Sequence, residues 1–264
     1  MNIGTITCSY YLRVYGYDRP EGMNWGAMCD KWRAELDEKG FLKLAGEIRD
    51  LGYNSIEIWE PTFSFMKYSI EEAKAMRGQL KALGFTSVAY CIGGWSGGSS
   101  EVVNSAYQFA QALGAEVVVG CIQNPEKILP VVEAAGKKYG MKYAIENHPK
   151  PNLESPEEIA AAIAPYETVG ANLDTGIYNM QGYDLQAAYA LMKDKTFHVH
   201  LKDTVKGQKG GCLPIGDGDA ELAWIIKKLA ADGYKYMLSV EFEHDGDPTP
   251  GLKKSIDYIN AQKP

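Results

Sequence analysis

The sequence lacks several features that mark whole classes of protein. Its five cysteines, Cys8, Cys29, Cys91, Cys121 and Cys212, form no C-x-x-C pair. An odd, scattered set of this kind indicates neither a disulfide framework nor a thiolate metal site and fits a reducing cytosol. The N-terminus has no basic segment followed by an apolar core, and no apolar run reaches membrane-spanning length. We therefore expect a cytoplasmic protein without a membrane partner.

Positive charge is also scarce. The chain has 27 Lys and Arg against 34 Asp and Glu, a formal net charge of -7, and no basic run that could follow a phosphate backbone. We therefore expect no nucleic-acid partner. What the chain does have is 45% hydrophobic residues over 264 positions, enough for one large core. Since no Pro- or Ser-rich linker divides it, we expect a single domain over residues 1–264.

Strand-like and helix-like segments alternate along the chain. A helical pattern over Phe41 to Leu51 stops at Gly52, and a strand pattern over Tyr53 to Trp59 follows. Eight such strand-then-helix units predict an α/β fold, the (β/α)8 TIM barrel. The alternative is an open doubly wound sheet, which would carry a G-x-G-x-x-G turn after a strand. The glycines of residues 93–98 lack that spacing, and we expect them to form a mobile loop.

A long polar and aromatic segment, Ser9 to Lys39, follows the first strand and contains Trp25 and Trp32. Long loops in compact domains tend to be functional. We expect this segment to help close a cavity over substrate or to meet a neighbouring subunit.

The stretch from Phe197 to Asp203 alternates apolar and polar residues, so His200 and its polar neighbours share one face of a strand. Three other predicted strands end in a carboxylate on the inward row: Glu146, Asp174 and Glu241. The carboxyl ends of barrel strands converge on one mouth. We therefore expect Glu146, Asp174, His200 and Glu241 to meet there.

Three ionised carboxylates cannot sit together in a half-buried pocket without a counter-charge. Oxygen-rich ligation with one imidazole suits one divalent metal ion, Mn²⁺, Mg²⁺, Co²⁺ or Zn²⁺. The alternative is that some of these acids pair with Lys142, Lys202 or Lys206.

These four residues resemble the metal ligands of the xylose-isomerase-like family of sugar isomerases and epimerases. The same resemblance extends to three short segments: Ile56-Glu57-Ile58-Trp59, His200-Leu201-Lys202-Asp203 and Gly216-Asp217-Gly218-Asp219. It implies that the four ligands hold one metal and that Glu146 and Glu241 are the catalytic acid and base. The metal would then act as a Lewis acid that stabilises an enediolate.

The family includes inosose isomerases and dehydratases, hydroxypyruvate isomerases, ketose 3-epimerases and endonuclease IV, and two members are disfavoured. Ketose 3-epimerases typically place a histidine and an arginine where this chain has Ile177 and Lys206. Endonuclease IV carries extra histidines for three zinc ions, which a chain with four histidines does not match.

Further residues are candidates for substrate binding, each with a structural alternative. Glu57 either binds substrate hydroxyls or neutralises a lysine, and Lys202 either reaches the mouth or pairs with Asp174 or Asp203. His198 lies one step deeper and is interpreted as a core residue. The two tryptophans are expected on βα loops, where they would stack on a sugar or pack as a lid. The substrate-binding candidates are Glu57, His148, Lys202, Trp59 and Trp95.

The sequence thus predicts a metal-dependent isomerase or epimerase in carbohydrate metabolism, with manganese among its candidate metals. Its partner would be a small-molecule sugar or cyclitol. Two alternatives stay open: a keto-sugar or inosose dehydratase or lyase using the same metal site, and a non-catalytic sugar-binding barrel. Lys202, Lys206 and Lys209 leave room for an anionic substrate group. A homo-oligomer also stays open.

Overall fold

The computed structural model describes residues 1–95, 99–208 and 210–262. Eight parallel strands pair in chain order, and the first closes on the last, which confirms the single TIM barrel. The strands are β1 (Asn2–Ile6), β2 (Ser55–Trp59), β3 (Ser87–Trp95), β4 (Val117–Ile122), β5 (Lys142–Glu146), β6 (Val169–Asp174), β7 (Thr196–Leu201) and β8 (Met237–Val240).

Helices surround the barrel and bury their apolar faces against the strands, as parallel sheets require. The helix starting after Ser155 shows how the sequence sets a boundary. Ser155 and Glu158 form a capping box, with Pro156 at the first position. The helices are α1 (Trp25–Glu35), α2 (Glu38–Asp50), α3 (Ile70–Ala82), α4 (Ser100–Leu113), α5 (Pro125–Tyr139), α6 (Pro156–Ile163), α7 (Thr175–Gln181), α8 (Leu185–Met192), α9 (Leu222–Ala231) and α10 (Thr249–Gln262).

Strand register brings the polar strand ends level with one another. Asp174 pairs with His200 across β6 and β7, and His200 pairs with Ser239 across β7 and β8. Glu241 follows β8 directly, and its backbone N–H donates to the carbonyl of Leu201 at 3.1 Å. The inward side chains at these positions therefore share the carboxyl-terminal mouth of the barrel.

The glycine-rich stretch differs from its prediction. Strand β3 continues to Trp95, so residues 93–95 belong to a strand and their assignment to a mobile loop was wrong. The pairing of β3 with β4 shifts register between Cys91 and Gly94. At Gly94 a Cβ atom would lie 3.1 Å from the backbone of Cys121, which explains the small residue. The rest of the predicted loop, residues 96–98, lies outside the described residues.

The segment from Ser9 to Lys39 is not one long loop. It contains the end of a short 3-10 turn over Thr7–Tyr10, a second turn over Arg13–Tyr15 and helix α1, whose buried side chains are Met28 and Trp32. The indole N–H of Trp32 donates to the carbonyl of Tyr11 at 2.9 Å and ties the helix to the chain that leaves β1.

No helix among the described residues is long and apolar enough to cross a membrane. The five cysteines are free thiols, and four of them are buried.

Candidate metal centre

Four side chains converge at the mouth of the barrel. They come from the ends of β5, β6 and β7 and from the residue after β8, and all four are buried. Each offers one ligand atom, and these atoms lie within 4.8 Å of one another. The cluster consists of the residues that the sequence singled out: Glu146, Asp174, His200 and Glu241.

The imidazole of His200 points its two nitrogens in different directions. Its Nδ1 lies 3.1 Å from Oε1 of Glu146 and 3.2 Å from Oε2 of Glu241. Its Nε2 lies 3.1 Å from both carboxylate oxygens of Glu57. One ring nitrogen therefore faces the acidic cluster, while the other faces the barrel interior.

Hydrogen bonds hold the backbone and one carboxylate oxygen of Asp174, while its other carboxylate oxygen accepts none from the described residues. Its Oδ1 accepts from the backbone N–H of Ile177 at 2.8 Å and caps α7. Its backbone N–H and carbonyl both bond the side chain of Asn147, at 2.8 and 3.1 Å. Its Oδ2 is buried and has no hydrogen-bond partner within the described part of the chain. An anchored carboxylate with one unsatisfied oxygen beside three other donors fits a divalent cation.

Electrostatics at the cluster reflect crowded charges of one sign. Burial raises the pKa of Asp174 well above its usual value, and the nearby Glu241 and Glu146 raise it further against the influence of Lys202. Burial opposes a charged imidazole, but Glu57 and Glu241 hold the pKa of His200 well above normal. The protein's own groups thus favour extra positive charge at this position, which a dication would supply.

Lys202 lies within the mouth, as predicted. Its side chain is buried, and Nζ lies 2.6 Å from Glu243, 3.3 Å from Glu241 and 3.8 Å from Asp174. Its predicted alternative, a salt bridge with Asp174, is present as the longest of these three contacts. Lys142 instead reaches the carbonyl of Glu167, and Lys206 is exposed.

Asp203, the other predicted partner of Lys202, holds a loop instead. Its carboxylate accepts from the backbone N–H groups of Gly216 and Gly218 at 2.8 and 2.9 Å, and also from those of Thr204 and Ala220. A Cβ atom on Gly218 would lie 2.3 Å from Oδ1 of Asp203. The segment of residues 216–219 before α9 therefore folds around the carboxylate of Asp203.

Glu57 is fully buried behind His200. Its Oε2 lies 2.9 Å from Nε2 of His198, and no lysine contacts it among the residues described here. Burial alone would raise the pKa of Glu57, but His198 and His200 hold it well below the ordinary range. The charged partners of Glu57 are thus two histidines and not the lysine that was the predicted alternative. A substrate contact of Glu57 stays a prediction.

The remaining substrate-binding candidates occupy different environments. Trp59 and Trp95 are the last residues of β2 and β3, so their assignment to βα loops was wrong, because each strand continues up to its tryptophan. Trp59 is buried and packs against Trp25, with ring centroids 5.8 Å apart. His148 is exposed, two residues beyond β5, with Nδ1 3.4 Å from Nδ2 of Asn152. Substrate contacts of all three stay predictions.

A cavity of about 250 Å³ opens beside Lys202 and Glu243. The segment from Ser9 to Lys39 supplies Tyr11, Arg19 and Trp25 to its wall, so this segment does lie at the mouth. Clefts of about 520–590 Å³ lie where strands begin, at the opposite end of the barrel, whereas the cluster of Glu146, Asp174, His200 and Glu241 is at the mouth. We therefore assign the smaller cavity to the site.

Two residues at the mouth escaped the sequence analysis. Cys121, near the end of β4, places Sγ 3.3 Å from Oε2 of Glu146. Glu243 contacts Lys202 and continues the alternation that begins with Glu241. The two-residue spacing from Glu241 could have predicted that Glu243 lies at the mouth. A single cysteine at a strand end, such as Cys121, does not predict a role.

Comparison with known proteins yields both sequence and structural relatives. The family model described as xylose isomerase-like TIM barrel matches residues 45–262. An inosose dehydratase from Lactiplantibacillus plantarum is 29% identical over 126 residues, which cover 41% of this chain and 42% of that protein. The chain therefore spans less than half the length of this curated relative.

Solved structures resemble the whole barrel. A D-allulose 3-epimerase from Methylomonas sp. superposes with a TM-score of 0.74 at 13% identity, covering 100% of this chain and 98% of that one. A xylose isomerase-like TIM barrel protein from Mycobacterium smegmatis, in complex with magnesium, gives 0.72 at 15% identity, with 99% and 96% covered. At these identities the likeness shows the shared fold.

Proposed function

The chain belongs to the xylose isomerase-like TIM barrel family, and from this premise we propose that it is a divalent-metal-dependent sugar isomerase or epimerase. Its substrate is a small ketose, aldose or inosose. The observation that carries the proposal is the convergence of Glu146, Asp174, His200 and Glu241 within 4.8 Å at the barrel mouth. Buried carboxylates beside one imidazole are expected where charge and protons are handled.

The same four residues would hold Mn²⁺, Mg²⁺, Co²⁺ or Zn²⁺, and the unsatisfied oxygen of Asp174 supports that fit. When bound, the cation supplies Lewis-acid stabilisation of negative charge on a sugar oxygen.

Glu146 and Glu241 are the groups that move protons. They extend from β5 and from the end of β8, which β6 and β7 separate in the ring, so they approach the mouth from different directions. One carboxylate takes the proton from the carbon next to the carbonyl, and the other returns a proton to that carbon from the opposite face in an epimerase or to the neighbouring carbon in an isomerase. Such a pair suits transfer within a sugar better than binding alone, which needs no second acid.

Lys202 and the aromatic residues position the substrate. The buried ammonium of Lys202 can donate to a substrate oxygen beside Glu241. The exposed face of Trp25, which packs against Tyr11 and Trp59, offers an apolar surface for the C–H groups of a sugar.

A dehydratase is the second candidate, and the relatives named inosose dehydratase favour it. The first step is the same removal of a proton next to a carbonyl. Loss of a β-hydroxyl as water would then replace the return of the proton to carbon.

The test combines metal analysis with proton NMR of a panel of ketoses and inososes in D₂O. We expect about one divalent metal per chain and deuterium at the carbon next to the carbonyl of at least one substrate. Deuterium in an intact sugar supports the isomerase or epimerase, and loss of water supports the dehydratase. A protein without divalent metal and without exchange in any substrate would contradict both candidates.

A further inference from the structure

One carboxylate holds two histidines in the barrel interior. Glu57, His198 and His200 are all buried, with exposed fractions of 0%, 0% and 1%. Oε2 of Glu57 lies 2.9 Å from Nε2 of His198, and both of its oxygens lie 3.1 Å from Nε2 of His200. The contacts join β2 to β7 across the barrel. They lie on the opposite side of the His200 ring from the acidic cluster.

Hydrogen-bond accounting fixes where the ring protons are. An ionised carboxylate can accept hydrogen bonds but cannot donate them. Both histidines therefore place an N–H on the Nε2 atom that faces Glu57. For His200, this arrangement directs Nδ1 toward Glu146, Asp174 and Glu241.

We propose that Glu57 is a positioning residue that keeps the proton of His200 on Nε2, so that Nδ1 can donate its lone pair to a divalent cation. A carboxylate behind a metal-binding histidine fixes the ring orientation and raises the basicity of the ligand. The proposal rests on the metal site put forward under "Proposed function". It gives Glu57 a role in metal affinity in place of a contact with substrate.

His198 stabilises this arrangement from the deeper side. Its Nδ1 is buried and has no protein partner among the described residues. A proton on that nitrogen would be an unsatisfied buried donor, which costs roughly 1–3 kcal/mol. His198 therefore keeps its own proton on Nε2 and remains a donor to Glu57.

The same geometry predicts the effect of Glu57→Gln. A carboxamide has one accepting oxygen and one donating NH₂ group, and Nε2 of His200 lies 3.1 Å from both positions, so in either orientation the NH₂ group meets an Nε2–H donor. One histidine must then move its proton to Nδ1. His198 has no acceptor at that position, whereas His200 has Glu146 and Glu241. His200 is therefore the ring that changes, and its new Nδ1 proton competes with the cation.

The first experiment measures the dissociation constant for Mn²⁺ by competition with a chelator. We expect Glu57→Gln to weaken binding by roughly 10- to 100-fold, the range seen when such supporting groups are lost. The matched control is Glu133→Gln, since Glu133 is also buried and hydrogen-bonded but accepts from Thr168, the residue just before β6. The control should bind Mn²⁺ like the wild type.

The outcomes separate this proposal from the proposed function. If the wild type binds Mn²⁺ and Glu57→Gln binds it equally well, the role of Glu57 is wrong and the metal site stands. If the wild type binds none of the four candidate metals, the metal site itself is wrong and the role of Glu57 fails with it.

The second experiment does not require the variant to fold. NMR of wild-type, zinc-loaded protein with ¹⁵N-labelled histidine should show a slowly exchanging N–H on Nε2 of both His198 and His200. In folded Glu57→Gln, the His200 proton should appear on Nδ1. A wild-type His200 without a proton on Nε2 would overturn the proposal regardless of any variant.

Discussion

The thiol of Cys121 donates to Glu146 across 3.3 Å, and it does so at Oε2, the oxygen that does not face His200. Burial raises the pKa of Cys121 well above its usual value, and the charge of Glu146 raises it further. The sulfur therefore stays protonated and keeps its role as donor. Glu146 is thus held on one side by a thiol while its other oxygen points into the acidic cluster.

This contact predicts a graded response at Cys121. Cys121→Ala removes the donor and should lower the rate of substrate deuterium exchange by up to about tenfold, as expected for the loss of one modest hydrogen bond. Cys121→Ser keeps a donor and should stay closer to the wild type. Cys29→Ala is the control, because Cys29 lies on α1 beside Arg33, away from the cluster. Equal rates in Cys121→Ala and the wild type would show that the thiol does not influence Glu146.

The metal ligands can be tested without substrate. His200→Ala and Asp174→Asn each remove one of the four proposed ligands, so both should lower the metal content of purified protein below the wild-type value of about one per chain. Elemental analysis after dialysis against a trace-metal buffer measures this directly. Full occupancy in both variants would refute the assigned ligand set.

Much of the barrel could be predicted because its strands and helices have different periods. Two helices, α1 and α7, were not predicted, and each has a physical reason. Helix α1 buries Met28 and Trp32 and otherwise faces outward, so its apolar signal is weak. Helix α7 spans seven residues, and the five from Thr175 to Asn179 are all buried, so it has little polar face to reveal a helical period.

The cluster at the mouth was predictable because each ligand ends a strand on the inward row. The partners of Glu57 were not. Its contacts with His198 and His200 span 141 and 143 positions in sequence and cross the barrel, and strand alternation does not indicate which inward residues meet across the interior. The same limit applies to Cys121, whose contact with Glu146 joins β4 to β5.

Trp25 should contribute to substrate affinity. It is 44% exposed and lines the cavity beside Lys202 and Glu243. Trp25→Ala removes an apolar surface for sugar C–H groups and should raise KM by roughly two- to tenfold with little change in kcat, given about 0.5–1.5 kcal/mol for an aromatic contact. Steady-state kinetics on a substrate found by the exchange screen measure both constants. Trp224→Ala, on α9, is the control. A fall in kcat with unchanged KM would contradict this role.

Asp203 should contribute to stability. Its carboxylate accepts from four backbone N–H groups, two of them from Gly216 and Gly218. Asp203→Ala leaves these donors without their acceptor and should lower the free energy of unfolding by at least about 2 kcal/mol. Urea denaturation measures the change. Asp217→Ala, in the same loop but in an exposed pair with Lys254, should cost about 1 kcal/mol or less. Equal losses in the two variants would contradict the role of Asp203 as the centre of this loop.

The proposed proton transfer can be separated from metal binding at Glu146 and Glu241. Glu→Gln at either position keeps an oxygen that can reach a cation but removes the basic carboxylate. Product formation from a substrate that the wild type processes should therefore fall by roughly 10²- to 10⁴-fold in either variant, the usual contribution of a positioned acid or base. Metal content should fall much less, because three ligands and the amide oxygen remain.

Since the two glutamates approach from different strands, each variant should also block a different half of the reaction. The one that removes the initiating base abolishes exchange, whereas the other leaves exchange but slows product formation. If neither variant changes exchange or product formation, proton transfer does not depend on these two residues.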